Sequence, residues 1–222
     1  MCGRFTITMT METFLSYLNT YEKMEVNLKD FTLPQYNIAP TEQIVAMIYA
    51  NKTYRVGPIS WGYIPSFSKG NPLRLINARS ETILTTRAFK DNFLTKRCVI
   101  FADGFYEWKE INGKKMPFRI IIKDQPIFAF AGLWNDNRHQ GEIPFSATIL
   151  TTAANTVVQT VHERMPVILT KKEVEIWLDP TKTTEELLPL LKPYPDEKTE
   201  TYPVSNYVNS AKNKDQQCIL PL

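Results

Sequence analysis

The second residue of the chain is a cysteine, followed by Gly3, Arg4 and Phe5. If Met1 is removed, the chain starts with a 1,2-aminothiol, and Cys is small enough for that removal. An α-amine titrates at about 7.7–8.0, so part of it is neutral and nucleophilic near neutral pH. A thiol, ordinarily near about 8.5, is lowered by a neighbouring cation, for which Arg4 is the candidate. Amine and thiol on adjacent carbons can attack one aldehyde carbon in turn, giving an imine and then a five-membered thiazolidine. The same terminus can serve an amidohydrolase, with the thiol as nucleophile and its own amine as base. The plain alternative is an inert, partly buried thiol.

Three further stretches hold reactive side chains. In residues 76–82, INARSET, an extended backbone puts Asn77, Arg79 and Glu81 on one face, an arrangement able to read a polar ligand. A solvated strand edge would look the same. In residues 103–109, DGFYEWK, a strand puts Glu107 on the face of Phe105, with Tyr106 and Trp108 opposite. A carboxyl among aromatics is desolvated, so its pKa rises and suits proton transfer. An ion pair with a cross-strand Lys is the competing reading. In residues 161–166, VHERMP, His162 lies between apolar residues and Arg164, whereas His139 sits in a polar loop and is expected to be exposed. A structural histidine is the alternative for His162. Neither histidine has metal-ligand spacing and no CxxC pair exists, so no metal and no cofactor are expected. Arg4, Trp61, Arg79, Arg87, Trp108 and Arg164 interleave cations with rings, a composition suited to single-stranded nucleic acid.

These residues need a scaffold, and the chain of 222 residues is 43% hydrophobic and 22% charged, enough to build a core. Its 15 prolines against 8 glycines favour short elements and rigid turns. A net charge of +3 does not by itself argue for nucleic acid. Three widely spaced cysteines, Cys2, Cys98 and Cys218, argue against a disulfide framework and for a reducing compartment. The first residues lack a basic-then-apolar leader, and no apolar run approaches the ~18 residues of a membrane span, so a cytoplasmic protein is expected.

Met11, Phe14, Leu15 and Leu18 share one helical face, with Thr10 as N-cap. The stretches IVAMIY, TYRVGPISW, IFAFAGLW and FSATILTT read as strands. Asn112-Gly113 marks a hairpin turn between two more. AANTVVQTVH reads as a short helix. Thr170 with Glu173, and Thr183 with Glu186, are capping boxes, and Asp179-Pro180 stops the first of those helices. The pattern predicts one α+β domain over 1–222, built on curved, mostly antiparallel β-sheets with a few peripheral helices. The polar tail of about 15 residues is expected to be loose.

In order, MCGRF, YNIAPT, WGYIP, INARSET, GFYEWK and HERMP resemble the SRAP family of abasic-site processing proteins. The resemblance runs from Cys2 to Pro166 and implies a domain covering nearly the whole chain. It implies a compact α+β fold with a basic channel for single-stranded DNA, and recognition of an abasic site, whose ring-opened sugar is an aldehyde. It implies a covalent, slowly reversible thiazolidine cross-link through Cys2, which shields the lesion, and allows weak lyase activity through the imine. By the same resemblance Asn77 holds the linked sugar, Glu107 handles protons, and His162 stands near the opened sugar and its phosphate. Arg4, Arg79, Arg87 and Arg164 match phosphate-contacting positions, and Trp61 falls in a motif beside the channel. Phe67 stands where the family often has a second Trp. A monomer suffices for this chemistry. The competing functions are a peptidase or amidohydrolase using Cys2, including autoproteolytic removal of Met1, and a non-covalent single-strand binder.

Overall fold

The computed structural model describes residues 2–68, 73–123, 125–139 and 143–222. Met1, and with it the state of the chain's first residue, lies outside the described residues, as do parts of the loops expected near 66–73 and 135–142.

Two β-sheets meet where the chain passes from the strand Arg97–Ala102 into the strand Gly104–Ile111. All six residues of Arg97–Ala102 are buried, as the unbroken apolar run Cys98–Ala102 requires of a central strand. It belongs to a nine-stranded sheet in which Phe145–Ala153 also pairs with Thr53–Trp61 (Ser146 opposite Ser60), closing the strand path on itself. The other sheet has five strands in the order Thr199–Pro203, Lys114–Ile122, Gly104–Ile111, Arg4–Ile7 and Gln35–Ile38, every pair antiparallel. Across both sheets most pairings are antiparallel, as the sequence predicts; the short strands Met24–Val26 and Asn77–Arg79 add parallel ones.

A buried ionic knot ties the passage between the sheets. The Asp103 amide donates to the Thr6 carbonyl at 2.9 Å. The Asp103 carboxylate accepts from Thr6 Oγ1, from the Thr8 amide and hydroxyl, and from Arg119 Nη2 at 3.1 Å. Gly104 is required here because the Arg119 guanidinium lies 2.6–2.9 Å from where a Cβ would stand. At the other end of that hairpin Asn112 and Gly113 have φ of 51° and 73°, the left-handed pair a two-residue turn demands.

The helices pad the outside. Thr10 Oγ1 accepts from the Thr13 amide to start Met11–Leu18, which buries Phe14 edge-on against Phe101, centroids 5.3 Å apart. The Thr170–Glu173 capping box opens Lys171–Leu178. The buried Arg97 guanidinium closes it, donating to the Trp177 and Asp179 carbonyls at its C-terminus. Glu186 accepts from the Thr183 amide as the second box predicts, and the expected helix near 155–162 is the single turn Thr156–Gln159.

Two sequence expectations are corrected. The strand INARSET stops at Arg79, and Ser80–Thr82 turn into a 3₁₀ helix, so Glu81 leaves the face it would have shared with Asn77. The polar tail is tied down. Val204, Val208 and Cys218 form a second apolar cluster with Tyr106, and Asn37 Nδ2 donates to the carbonyls of Val208, Ser210 and Asn213. A polar segment satisfied by side-chain-to-backbone bonds can dock as firmly as an apolar one. Among the described residues no helix is long and apolar enough to cross a membrane.

Candidate active site

The strand Arg4–Ile7 lies against Gly104–Ile111 with Arg4 opposite Tyr106 and Phe5 opposite Phe105. That register carries the start of the chain alongside Glu107. Cys2 is fully buried. Its carbonyl accepts a 2.8 Å hydrogen bond from Asn77 Nδ2, which arrives from a different strand held parallel to Phe145–Ala153 (Asn77 opposite Ile149). Asn77 Oδ1 is buried and has no hydrogen-bond partner among the described residues, leaving one acceptor at this point.

Glu107 is 2% exposed. The expected alternation holds: Phe105 joins the main core, while Tyr106 and Trp108 face the C-terminal segment. Its cross-strand neighbour is Phe118 rather than a lysine, so the ion-pair reading of this position has no support from the register. Burial pushes its carboxyl up to about 7. His162 is half-buried, and burial pulls its imidazole below the ordinary value. His162 Nδ1 accepts the Arg164 amide at 3.0 Å, which puts the ring proton of the neutral form on Nε2. Glu107 and His162 line one open cleft of about 590 Å³ together with Gly3, Arg4, Pro40, Trp108, Lys115 and Asn209. Cys2 precedes Gly3 in the chain and is itself fully buried.

The cations and rings named from sequence part company. Trp61 is fully buried, edge-on to Phe5 at 5.2 Å, and its Nε1 donates to the Ile76 carbonyl. It is a core residue, and the expectation that it contacts DNA is corrected. Arg4 does not lower the Cys2 thiol as expected. Its guanidinium turns away, donating to Asn37 Oδ1 at 2.8 Å and to the Val208 and Asn209 carbonyls at 2.9 and 3.2 Å. Burial, then the Glu107 charge, push the thiol up instead. Arg79 is exposed at the end of its strand. Arg87 is exposed with its guanidinium 4.5 Å from the Phe67 ring. Arg164 forms a bidentate pair with Glu81 at 2.6 and 2.9 Å. His139 is exposed.

Sequence reasoning named Trp108 only as one of several rings, and missed Lys115, Pro40 and Asn209. A signal for Lys115 existed. Once Asn112-Gly113 fixes the turn, Glu110 pairs with Lys115 and Trp108 with Pro117, so Lys115 shares Trp108's face. Asn209 had none, because it reaches the cleft through the docked tail, where its Oδ1 accepts from Trp108 Nε1 at 2.7 Å. The arrangement offers a chain start held at its carbonyl, a buried carboxyl that titrates near neutrality and a neutral imidazole. The carboxyl and the imidazole line one open cleft, and Gly3, next in the chain after Cys2, lines it with them.

Residues 1–211 match the family described as SOS response associated peptidase (SRAP). The chain is 39% identical to the abasic site processing protein YoaM of Bacillus subtilis, covering 99% of this chain and 97% of that one. It is 31% identical to the abasic site processing protein YedK of Escherichia coli, covering the whole of both. A crystal structure of a protein from Bacteroides thetaiotaomicron superposes with a TM-score of 0.83 at 26% identity, covering 98% of this chain and 99% of that one.

Proposed function

The chain belongs to the SRAP family, and on that premise we propose that it handles abasic sites in single-stranded DNA by trapping them covalently on Cys2 after Met1 has gone. The observation that carries this reading is the 2.8 Å bond from Asn77 to the Cys2 carbonyl, which anchors the chain start beside a carboxyl pushed up to about 7. An aldehyde trap needs a fixed amine and a proton donor that is still protonated near neutral pH.

The neutral α-amine of Cys2 attacks the aldehyde carbon of the ring-opened sugar and forms the carbinolamine. Glu107, protonated, gives its proton to the carbinolamine hydroxyl, which leaves as water, and the nitrogen lone pair closes the iminium. The Cys2 thiol then adds to that carbon. Carbon–sulfur bond formation saturates the iminium, the nitrogen keeps its proton as a secondary amine, and the thiol proton returns to Glu107. The sum is aldehyde plus aminothiol giving thiazolidine plus water. Because burial keeps the thiol neutral, the amine acts first. His162, carrying its proton on Nε2, can donate to the oxygen released when the sugar ring opens. Asn77 Oδ1 is the free acceptor for a sugar hydroxyl. Arg79 and Arg87, both exposed, are the cations proposed to meet backbone phosphates, and the half-exposed Trp108 is the ring proposed to meet a base. The chemistry asks for one chain and no cofactor.

The test is the intact mass of protein mixed with a single-stranded oligonucleotide bearing one abasic site. The adduct is expected at the sum of the two masses less one water, and absent for Cys2→Ala and for protein retaining Met1. Correctly processed protein that gives no adduct sinks the reading. Peptide hydrolysis instead would favour the amidohydrolase, a use of Cys2 that the raised thiol serves poorly.

A further inference from the structure

We propose that Glu81 is a phosphate placeholder: its carboxylate occupies the guanidinium fork of Arg164 until a backbone phosphate displaces it, and so limits how tightly the site holds undamaged single strands. The inference rests on the reading of the cleft as a single-stranded DNA site.

Arg164 Nη1 donates to Glu81 Oε1 at 2.6 Å and Nη2 to Oε2 at 2.9 Å. This two-pronged geometry serves a phosphate as well as a carboxylate. The two partners are unequally held. The Arg164 side chain is 12% exposed, and its Nη2 also donates to the Thr151 carbonyl at 2.8 Å. The Glu81 side chain is 51% exposed and stands on a single 3₁₀ turn. The arginine is therefore fixed and the acid is the partner free to swing out. Arg164 Nε is buried with no hydrogen-bond partner among the described residues, so the guanidinium still has a donor to satisfy. Arg79 acts on the same carboxylate: hydrogen bonds from Arg164 first, then the charges of Arg164 and Arg79, hold Glu81 below the ordinary carboxylate range. One monoanion sits in the field of two arginines, which is the charge balance of a phosphodiester in that position.

Its place in the chain fits the role. Arg164 is two residues past His162, and Arg79 two residues past Asn77, so the pair flanks the groups proposed to meet the lesion. A phosphate can take the fork only when Glu81 leaves, and that cost falls on every strand alike. A strand with an abasic site is afterwards kept by a covalent bond, so the cost weakens only reversible binding.

The experiment is fluorescence anisotropy of an undamaged single-stranded oligonucleotide across a potassium chloride series. It uses the parent protein, Glu81→Gln, Arg164→Gln, their double variant, and Glu163→Gln as an exposed charge control. Glu81→Gln should remove the displacement cost and tighten binding about fivefold at low salt, while the slope of log K against log salt keeps the parent's value because the same phosphate is neutralised in both complexes. Glu163→Gln should not tighten binding, and the gain from Glu81→Gln should vanish in the Arg164→Gln background. Thermal unfolding of each variant confirms that it is folded. The proposal is overturned if Glu81→Gln matches or weakens parent binding, or if its gain survives loss of Arg164. Adduct formation by the parent on an abasic oligonucleotide, run alongside, tells the two failures apart. An intact adduct with an inert Glu81→Gln removes the placeholder alone, and a parent that neither binds nor cross-links removes both.

Discussion

Two buried carboxyls stand four residues apart on the passage between the sheets, and they have opposite surroundings. Asp103, 8% exposed, is answered by the Arg119 guanidinium, two threonine hydroxyls and the Thr8 amide. Glu107, 2% exposed, has Phe118 across the hairpin and Phe105 on its own face, and burial holds its carboxyl up to about 7. Burying a charge costs several kcal/mol unless a partner compensates. With Arg119 opposite, the acid is held in a buried ion pair at the passage between the sheets. Where the strand supplies rings, the acid keeps its proton into the neutral range and can give it away. One stretch of seven residues, DGFYEWK, thus holds a structural and a chemical carboxyl, separated by what the neighbouring strand places opposite each.

The largest effect expected from this contrast is on stability. Asp103→Ala leaves Arg119 buried without its counter-charge and should lower the unfolding free energy by about 3–5 kcal/mol in chemical denaturation. Cross-linking per folded molecule should be retained. If Asp103→Ala unfolds at the parent's denaturant midpoint, the ionic knot does not join the sheets.

Glu107→Gln should show the reverse pattern. Adduct formation is expected to slow by about a hundredfold or more, the usual worth of a positioned acid, while stability at pH 8 is not lowered. The sign follows from linkage. In the unfolded chain the carboxyl titrates near 4.5, in the folded one near 7. Between these values only the folded state keeps the proton, so rising pH favours unfolding. The favourable contribution is complete below 4.5 and gone above 7, a loss of about 3 kcal/mol. Denaturation curves at pH 5 and pH 8 should differ by most of this extra amount for the parent relative to Glu107→Gln. Parallel pH profiles for the two would show that Glu107 is not held up by burial.

Much of this contrast is legible in the sequence, because its ingredients are local. Alternation in GFYEW places Glu107 on the Phe105 face, and the Asn-Gly turn sets the register that puts Phe118 opposite. Asp103 carries no such signal. Its partners Thr6, Thr8 and Arg119 come from distant strands, and only the assembled sheets bring them together. Trp61 misled for a related reason. A tryptophan in a motif-rich stretch reads alike whether its ring is exposed or its Nε1 finds a buried carbonyl, here that of Ile76. Arg4 misled because the carbonyls that capture it lie more than 200 residues away, in a tail whose polarity spoke for disorder. Asn77, Glu107 and His162 could be named because each sits in a short stretch of distinctive composition. Lys115 and Asn209 reach the cleft only through register and docking.

The smallest effect, and the sharpest probe, comes from placing a side-chain cation across the strand from Glu107, as Arg119 stands against Asp103. Phe118 is half-buried directly opposite Glu107, at the spacing where cross-strand side chains touch. Phe118→Lys places an ammonium beside the carboxyl while its methylene stem covers much of the surface the ring covered. A cross-strand charge pair contributes about 0.2–1 kcal/mol, so the unfolding midpoint at pH 8 should change little. The chemistry should change more. An opposite charge within reach lowers a carboxyl by about one unit or more, so Glu107 would surrender its proton at lower pH. The pH profile of adduct formation should slide down by about that amount, and the rate at pH 7.5 should fall because less of the acid is protonated. The pH-dependent loss of stability should shrink in step, since both follow from the same titration. If the rate profile moved while the stability profile stayed, the group titrating in the reaction would be another one, and His162 is the next to test. If neither moved, the partner across the strand would not be what separates Glu107 from Asp103.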